Sequence, residues 1–148
     1  MSMYFVQHGL AVDKAENPSR PLSEEGRLYV NKVASHLAGL NLSVNQIFHS
    51  GKDRAEQTAR LFAGALNIPA INLHQYLNPN DDVNQIIPLL ADNSMYVGHL
   101  PHMEKLVSKL LCGDEEAELV EFENSAVVCL ARQESGYRLQ WMIRASML

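Results

Sequence analysis

The sequence predicts an α/β protein, a three-layer αβα sandwich around a mostly parallel open sheet that ends in an antiparallel hairpin. Short apolar runs alternate with longer segments of helical periodicity, in the order βαβαβαβαββ. The last two apolar runs, residues 126–131 and 137–143, flank a Glu-Ser-Gly turn, which is typical of a hairpin. The chain has 148 residues, a length that suits one domain over residues 1–148 with no lid insertion.

The first strand, residues 3–8, is an apolar run that ends in a histidine and a glycine, His8 and Gly9. Open α/β sheets bind ligands outside the carboxyl ends of their strands, so His8 is predicted to lie at the mouth of a site. Gly9 lets the backbone turn sharply and lets a ligand approach closely. The polar loop that follows, residues 11–20, is expected to carry binding groups.

The first two helices are predicted from their caps and their apolar spacing. The first begins after Ser23, a good N-cap residue, and its buried face is predicted to include Leu28 and Leu40. The second follows the strand of residues 45–50 and is predicted to be capped by Asp53.

The second half of the chain repeats this alternation. A short strand at residues 70–73 precedes a helix that Asp81 or Asp82 is predicted to cap. The strand of residues 94–98 leads into a helix whose last residue, Cys112, is predicted to be buried in the core.

The composition excludes some classes of protein. A formal net charge of -5 argues against binding to nucleic acid or to a membrane surface. The first residues do not show the charged and long apolar regions of a signal peptide, so none is expected, and no apolar run approaches transmembrane length. Two cysteines are too few for a disulfide framework, so a reducing cytoplasm is the expected location.

Three polar groups are predicted to share one edge of the sheet, namely His8, His99 and Arg54. Arg54 lies just inside a helix N-terminus, where the helix dipole and the free N–H groups already favour an anion. A guanidinium adds a fork of donors that matches phosphate oxygens. One imidazole can attack phosphorus while the second stabilises the developing charge, so this arrangement predicts phosphoryl transfer.

Four motifs occur in order at these positions: Gln-His-Gly at residues 7–9, Arg-Pro-Leu-Ser-Glu-Glu-Gly at residues 20–26, Arg-Ala-Glu-Gln-Thr at residues 54–58, and Val-Gly-His-Leu-Pro at residues 97–101. In this combination the sequence resembles the histidine phosphatase superfamily, and within it the short phosphohistidine phosphatases of the SixA type. The resemblance covers nearly the whole chain and implies a phosphoglycerate mutase-like fold.

The resemblance also implies a role for individual residues. His8 would be the nucleophile that becomes phosphorylated, Arg54 would bind the phosphoryl group, and His99 would stabilise it electrostatically. Arg20 would add a further contact, and neither a metal nor another cofactor would be needed. The partner implied is a phosphorylated protein, such as a phosphotransfer or phosphorelay domain.

The sequence departs from the family at Gln7, where the superfamily has an arginine that binds phosphate. Loss of one preorganised donor typically lowers a rate by about 10²–10³. Two alternatives follow: either Lys52 restores the charge from another direction, or the protein is a weakened or non-catalytic phosphate-binding member.

The sequence also leaves open which residue, if any, acts as the general acid. Asp81 could protonate a leaving oxygen, as a small-molecule phosphomonoesterase would require, or it could simply cap a helix. A phosphohistidine substrate needs such an acid less, because imidazole leaves more easily than an alkoxide.

Overall fold

A computed structural model describes all of residues 1–148 and confirms the predicted fold class. Six strands form one sheet in the order β3-β2-β4-β1-β5-β6. The strands are β1 (Ser2–Gln7), β2 (Gln46–His49), β3 (Ile71–Leu73), β4 (Ser94–Gly98), β5 (Val127–Gln133) and β6 (Gly136–Ile143). The helices are α1 (Glu24–Ala38), α2 (Asp53–Leu66), α3 (Val83–Ile86) and α4 (His102–Cys112). Short 3₁₀ turns occupy Ile87–Leu89 and Ala145–Met147.

The register of the parallel strands brings their carboxyl ends to one edge. Strands β3, β2, β4 and β1 run parallel, whereas β5 is antiparallel to β1 and β6 is antiparallel to β5. Gln7 lies opposite Gly98, and His49 lies opposite Val97. The residues that follow β1, β2 and β4 therefore emerge side by side.

The sheet is buried on both faces. Tyr4 and Val6 face the layer of α1 and α2, whereas Met3 and Phe5 face the layer of α3 and α4. A strand covered on both sides needs apolar side chains at every position, which explains the unbroken apolar run of β1.

The start of α1 is as predicted, but part of its buried face is not. The hydroxyl of Ser23 accepts a hydrogen bond from the Gly26 N–H at 2.9 Å, so Ser23 is the N-cap. The prediction that Leu28 and Leu40 are buried is wrong, since they are 69% and 44% exposed. Leu28 is two positions, about 200° of rotation, from the buried Val30. Leu40 lies beyond the last residue of the helix.

Two further predictions about helix ends are corrected. Lys52, not Asp53, is the N-cap of α2, and Asp53 is the first helical residue, where its charge faces the positive end of the helix dipole. Cys112 is exposed rather than buried, because it lies two positions past the buried Leu110 and so points away from the core. Asp82 caps α3 by accepting the Asn84 N–H at 2.9 Å.

No helix combines the length and the apolar character that crossing a membrane requires.

Candidate active site

The backbone of His8 is held on three sides at the end of β1. Its N–H donates to the Gly98 carbonyl at 3.0 Å, which ties it to β4. Its carbonyl accepts the side-chain amide of Asn124 at 3.1 Å and the N–H of Ser125 at 3.3 Å. The position of the His8 ring is therefore set by the sheet and by the segment that precedes β5.

The structure brings the rings of His8 and His99 together. Their centroids are 4.9 Å apart, with the ring planes inclined at 51°. His99 directly follows β4, the neighbour of β1, so this proximity follows from the parallel pairing of the two strands. His8 is partly buried, whereas His99 is almost wholly buried.

The Nδ1 atom of His8 lies 2.6 Å from the carbonyl oxygen of Gly9. A carbonyl can only accept a hydrogen bond, so Nδ1 must carry the proton. Burial, the largest cause, together with the charges of Arg54 and Arg20, lowers the pKa of His8 from 6.5 to about 4, against the opposing effect of the bond to Gly9. At neutral pH the ring is therefore neutral, and its Nε2 atom carries a free lone pair.

His99 is held by the residue that ends the second strand. Its Nε2 atom lies 2.6 Å from the hydroxyl of Ser50. Burial lowers the pKa of His99 to about 3, and the charges of His8, Arg54 and Lys52 act in the same direction. Its Nδ1 atom is buried and has no hydrogen-bond partner in the protein.

Three cations surround the two histidines. The charges of Arg54 and Arg20 act on His8, and those of Arg54 and Lys52 act on His99. Burial and the nearby Arg20 lower the pKa of Arg54, whose Nε atom has no partner. Arg20 is fixed by donating from Nε to the Val12 carbonyl at 3.1 Å.

None of these cations forms an ion pair with a carboxylate of the chain. The three cations therefore remain without an ion-pair partner in the chain, which favours an anion between them.

Gly9 turns the chain where there is no space for a side chain. A Cβ at this position would collide with Val30. Its N–H donates to the hydroxyl of Thr58 at 3.0 Å, and that hydroxyl donates to the Arg54 carbonyl at 2.7 Å. Thr58 thus links the turn after His8 to the first turn of α2.

Two further residues that the sequence assigned to the site, Gln7 and Asp81, add no charge to the pair of histidines. Gln7 is buried, and its Oε1 atom has no partner. Asp81 accepts the Asn78 N–H at 2.9 Å, and its charge raises the pKa of His102, an effect smaller than the lowering by burial. The charges that act on His8 and His99 are all positive.

No three or more His, Cys, Asp or Glu side chains form a group that could hold a metal ion.

Sequence reasoning assigned no functional role to Ser50, Asn124 or His102. Ser50 could have been found, since it ends a strand next to His99's strand. Asn124 lies outside the four sequence motifs, and only the tertiary structure brings it to His8. His102 is 1% exposed, and neither of its ring nitrogens has a partner.

Comparison with known proteins decides the family. The sequence model described as the histidine phosphatase superfamily (branch 1) matches residues 3–77, which is half of the chain and includes His8 and Arg54. The chain belongs to the histidine phosphatase superfamily.

Two curated proteins are similar to this chain over most of its length. The phosphohistidine phosphatase SixA of Escherichia coli is 28% identical over 145 residues, which are 92% of this chain and 88% of the relative. An uncharacterized protein of Picosynechococcus sp. is 30% identical over 123 residues, which are 76% of this chain and 74% of the relative.

Solved structures of the same superfamily fold match the whole chain. The protein histidine phosphatase SixA complexed with tungstate superposes with a TM-score of 0.88, at 25% identity over 99% of each chain. The alpha-ribazole phosphatase of Shigella flexneri has a TM-score of 0.80 at 13% identity, over 98% of this chain and 97% of its own, and this likeness shows the fold alone. The histidine phosphatase membership and the resemblance to SixA make this protein a phosphatase.

Proposed function

We propose that this histidine phosphatase hydrolyses phosphohistidine on a protein, through a covalent intermediate on His8. The observation that carries the proposal is the state of the His8 ring. Its Nδ1–H is directed to the Gly9 carbonyl, so the lone pair of Nε2 is free beside His99 and Arg54. A neutral imidazole fixed in this tautomer is a nucleophile ready for attack.

In the first step, Nε2 of His8 attacks the phosphorus of the substrate. A new N–P bond forms to His8 as the N–P bond of the substrate breaks, and the substrate imidazole, protonated on its other nitrogen, leaves as a neutral ring. The hydrogen bond from Nδ1 to the Gly9 carbonyl stabilises the positive charge that then develops on His8.

In the second step, water attacks the phosphorus of phospho-His8. The oxygen–phosphorus bond forms, and the N–P bond to His8 breaks with its electron pair returning to Nε2. Inorganic phosphate, which keeps the protons of the water, is released and His8 is neutral again. In both steps Arg54 and Arg20 bind the phosphoryl oxygens and His99 stabilises the transferring group. Gly9 is required by its packing against Val30 and not, as the sequence suggested, by the approach of a ligand.

The electrostatics favour an N–P substrate over a phosphate ester. A phosphomonoesterase needs an acid to protonate the leaving oxygen, and no carboxylate is among the charges that act on His8 or His99. Asp81 instead accepts a backbone N–H in its own loop. The curated relative SixA of Escherichia coli is a phosphohistidine phosphatase, which agrees with this choice. Tungstate, bound in a SixA structure, is an oxyanion like phosphate.

Lys52 compensates for Gln7 in this proposal. Gln7 provides no charge, whereas Lys52 has no carboxylate partner and its charge reaches His99. If Lys52 does not compensate, the protein would be a weakened or non-catalytic phosphate-binding member of the superfamily.

We further propose that residues 1–148 act as one domain without a lid, in the cytoplasm, where the free thiols of Cys112 and Cys129 would stay reduced.

The experiment that tests this function measures phosphate release from a histidine-phosphorylated carrier protein, beside release from a small phosphate ester. We expect turnover of the carrier at a rate that exceeds ester hydrolysis, and none with His8→Ala. His36→Ala, a change on the exposed face of α1, is the matched control and should leave turnover unchanged. Binding of the carrier without any release would favour the non-catalytic alternative, and faster ester hydrolysis would favour a phosphomonoesterase.

A further inference from the structure

A surface groove of about 280 Å³ opens beside the candidate active site. It is lined by residues from the loop after β1, from α1, from the segment before β5 and from the turn after β6. These are Leu10, Tyr29, Glu123, Asn124, Ala145 and Ser146.

Two connections join the groove to His8, one along the chain through Leu10 and one by a hydrogen bond from Asn124. Leu10 is two residues from His8, so their Cα atoms are at most about 7 Å apart. Asn124 lines the groove and also donates its side-chain amide to the His8 carbonyl. A molecule that presents a phosphoryl group to His8 therefore has the groove within reach of its neighbouring atoms.

Apolar side chains are exposed at the groove. Leu10 is 37% exposed and Tyr29 is 40% exposed. Met147, which follows the lining residue Ser146, is 64% exposed. Clustered exposure of large apolar side chains is typical of an interaction surface.

The walls of the groove are fixed, and its one acid is already used. The Glu123 carboxylate accepts the Ser146 hydroxyl at 2.9 Å. It also forms an ion pair with Arg144, whose Nε atom lies 3.0 Å from a carboxylate oxygen. On the other side, α1 approaches the backbone of Leu10 so closely that Gly26 has no room for a Cβ. The groove therefore presents a preformed, largely apolar surface.

We infer that this groove docks apolar side chains of the protein segment that carries the phosphohistidine. The inference rests on the proposed function. The unpaired charges of Arg20, Arg54 and Lys52 complement the phosphoryl group, and the apolar groove beside them complements the side chains next to it. Its volume of about 280 Å³ has room for one or two side chains.

The test compares a phosphorylated carrier protein with phosphoramidate, which has an N–P bond but no protein surface. In Leu10→Ser and in Tyr29→Ser we expect KM for the carrier to rise about tenfold, as for loss of an interface anchor. We expect kcat for the carrier, and the hydrolysis of phosphoramidate, to stay within about twofold of the wild type. Leu139→Ser, at an exposed leucine on β6, is the control and should change the hydrolysis of neither substrate. Thermal unfolding checks that each variant is folded.

Several outcomes would overturn the inference. An unchanged carrier KM in both variants would do so while leaving the phosphatase function intact, as would equal losses on carrier and phosphoramidate. A fall in the solution mass of the variants without a change in KM would assign the groove to a second copy of the chain. A wild-type protein that hydrolyses neither substrate would instead overturn the proposed function, and the docking surface with it.

Discussion

The protonation state of the His8 ring decides whether its Nε2 atom can attack phosphorus. Burial and the flanking arginines lower the pKa of this ring to about 4, and a protonated ring has no lone pair to donate. We therefore expect the His8 ring to remain available as a nucleophile from about pH 7 to pH 5, so that its protonation lowers phosphoryl transfer only as the pH approaches about 4.

An NMR titration of the His8 ring in the free protein measures this pKa directly. The expected midpoint is about 4, against the ordinary value of 6.5. A midpoint near 6.5 would contradict the burial and the cationic surroundings that we assign to this ring.

Variants at Gln7 and Lys52 test whether Lys52 supplies the positive charge that Gln7 lacks. If Lys52 supplies the missing charge, Lys52→Ala should lower kcat/KM about 10–100-fold, because a hydrogen bond to a charged group contributes roughly 1.5–3 kcal/mol. Gln7→Arg should restore most of that loss in the double variant and add little to the wild type. Lys32→Ala, an exposed lysine on α1, is the control. Equal gains from Gln7→Arg in both backgrounds would show that the two positions act independently.

The turn after β1 depends on α2 through a single hydroxyl. Thr58 is fully buried and accepts the Gly9 N–H. Thr58→Val leaves that buried N–H without a partner, so we expect the free energy of unfolding to fall by about 1–3 kcal/mol. Thr58→Ser keeps the hydroxyl and should be closer to the wild type. Urea denaturation measures both, and a Thr58→Val protein as stable as Thr58→Ser would show that this hydrogen bond contributes nothing.

At the scale of the elements, the sequence predicted what periodicity and strand ends can specify. His8, Arg54 and His99 were expected at one edge because parallel strands align their carboxyl ends, and the rings of His8 and His99 do lie 4.9 Å apart. Leu28 and Cys112 were misplaced because an apolar residue can also lie on the exposed side of an amphipathic helix.

For the molecule as a whole, buried neutral histidines should make stability depend on pH. Burial lowers the pKa of His8, His99 and His102 in the folded state, so between about 4 and 6.5 the unfolded chain binds more protons. Their stabilising contribution is thus complete above pH 6.5 and is lost as the pH falls below it. We expect the urea midpoint to drop between pH 6.5 and pH 5.

His102→Leu gives a matched test of this dependence. His102 is buried and neither ring nitrogen has a partner, so an apolar replacement should make the midpoint less sensitive to pH. The same pH sensitivity in the variant and the wild type would exclude His102 as a contributor.

The arrangement of the whole chain sets the limit of sequence reasoning. The order of strands and helices could be predicted from the sequence, and the motifs located His8, Arg54 and His99 within that order. The contacts of Asn124 with His8 and of Glu123 with Ser146 join segments 116 and 23 residues apart, and no local pattern specifies such pairs.

The central claim is the covalent intermediate on His8, and one measurement tests it most directly. The protein is mixed briefly with a histidine-phosphorylated carrier, and its intact mass and fragment masses are recorded while phosphate release is followed. The account predicts one added phosphoryl group that maps to His8, together with steady release of phosphate. Release without any adduct, or an adduct on another residue, would contradict it.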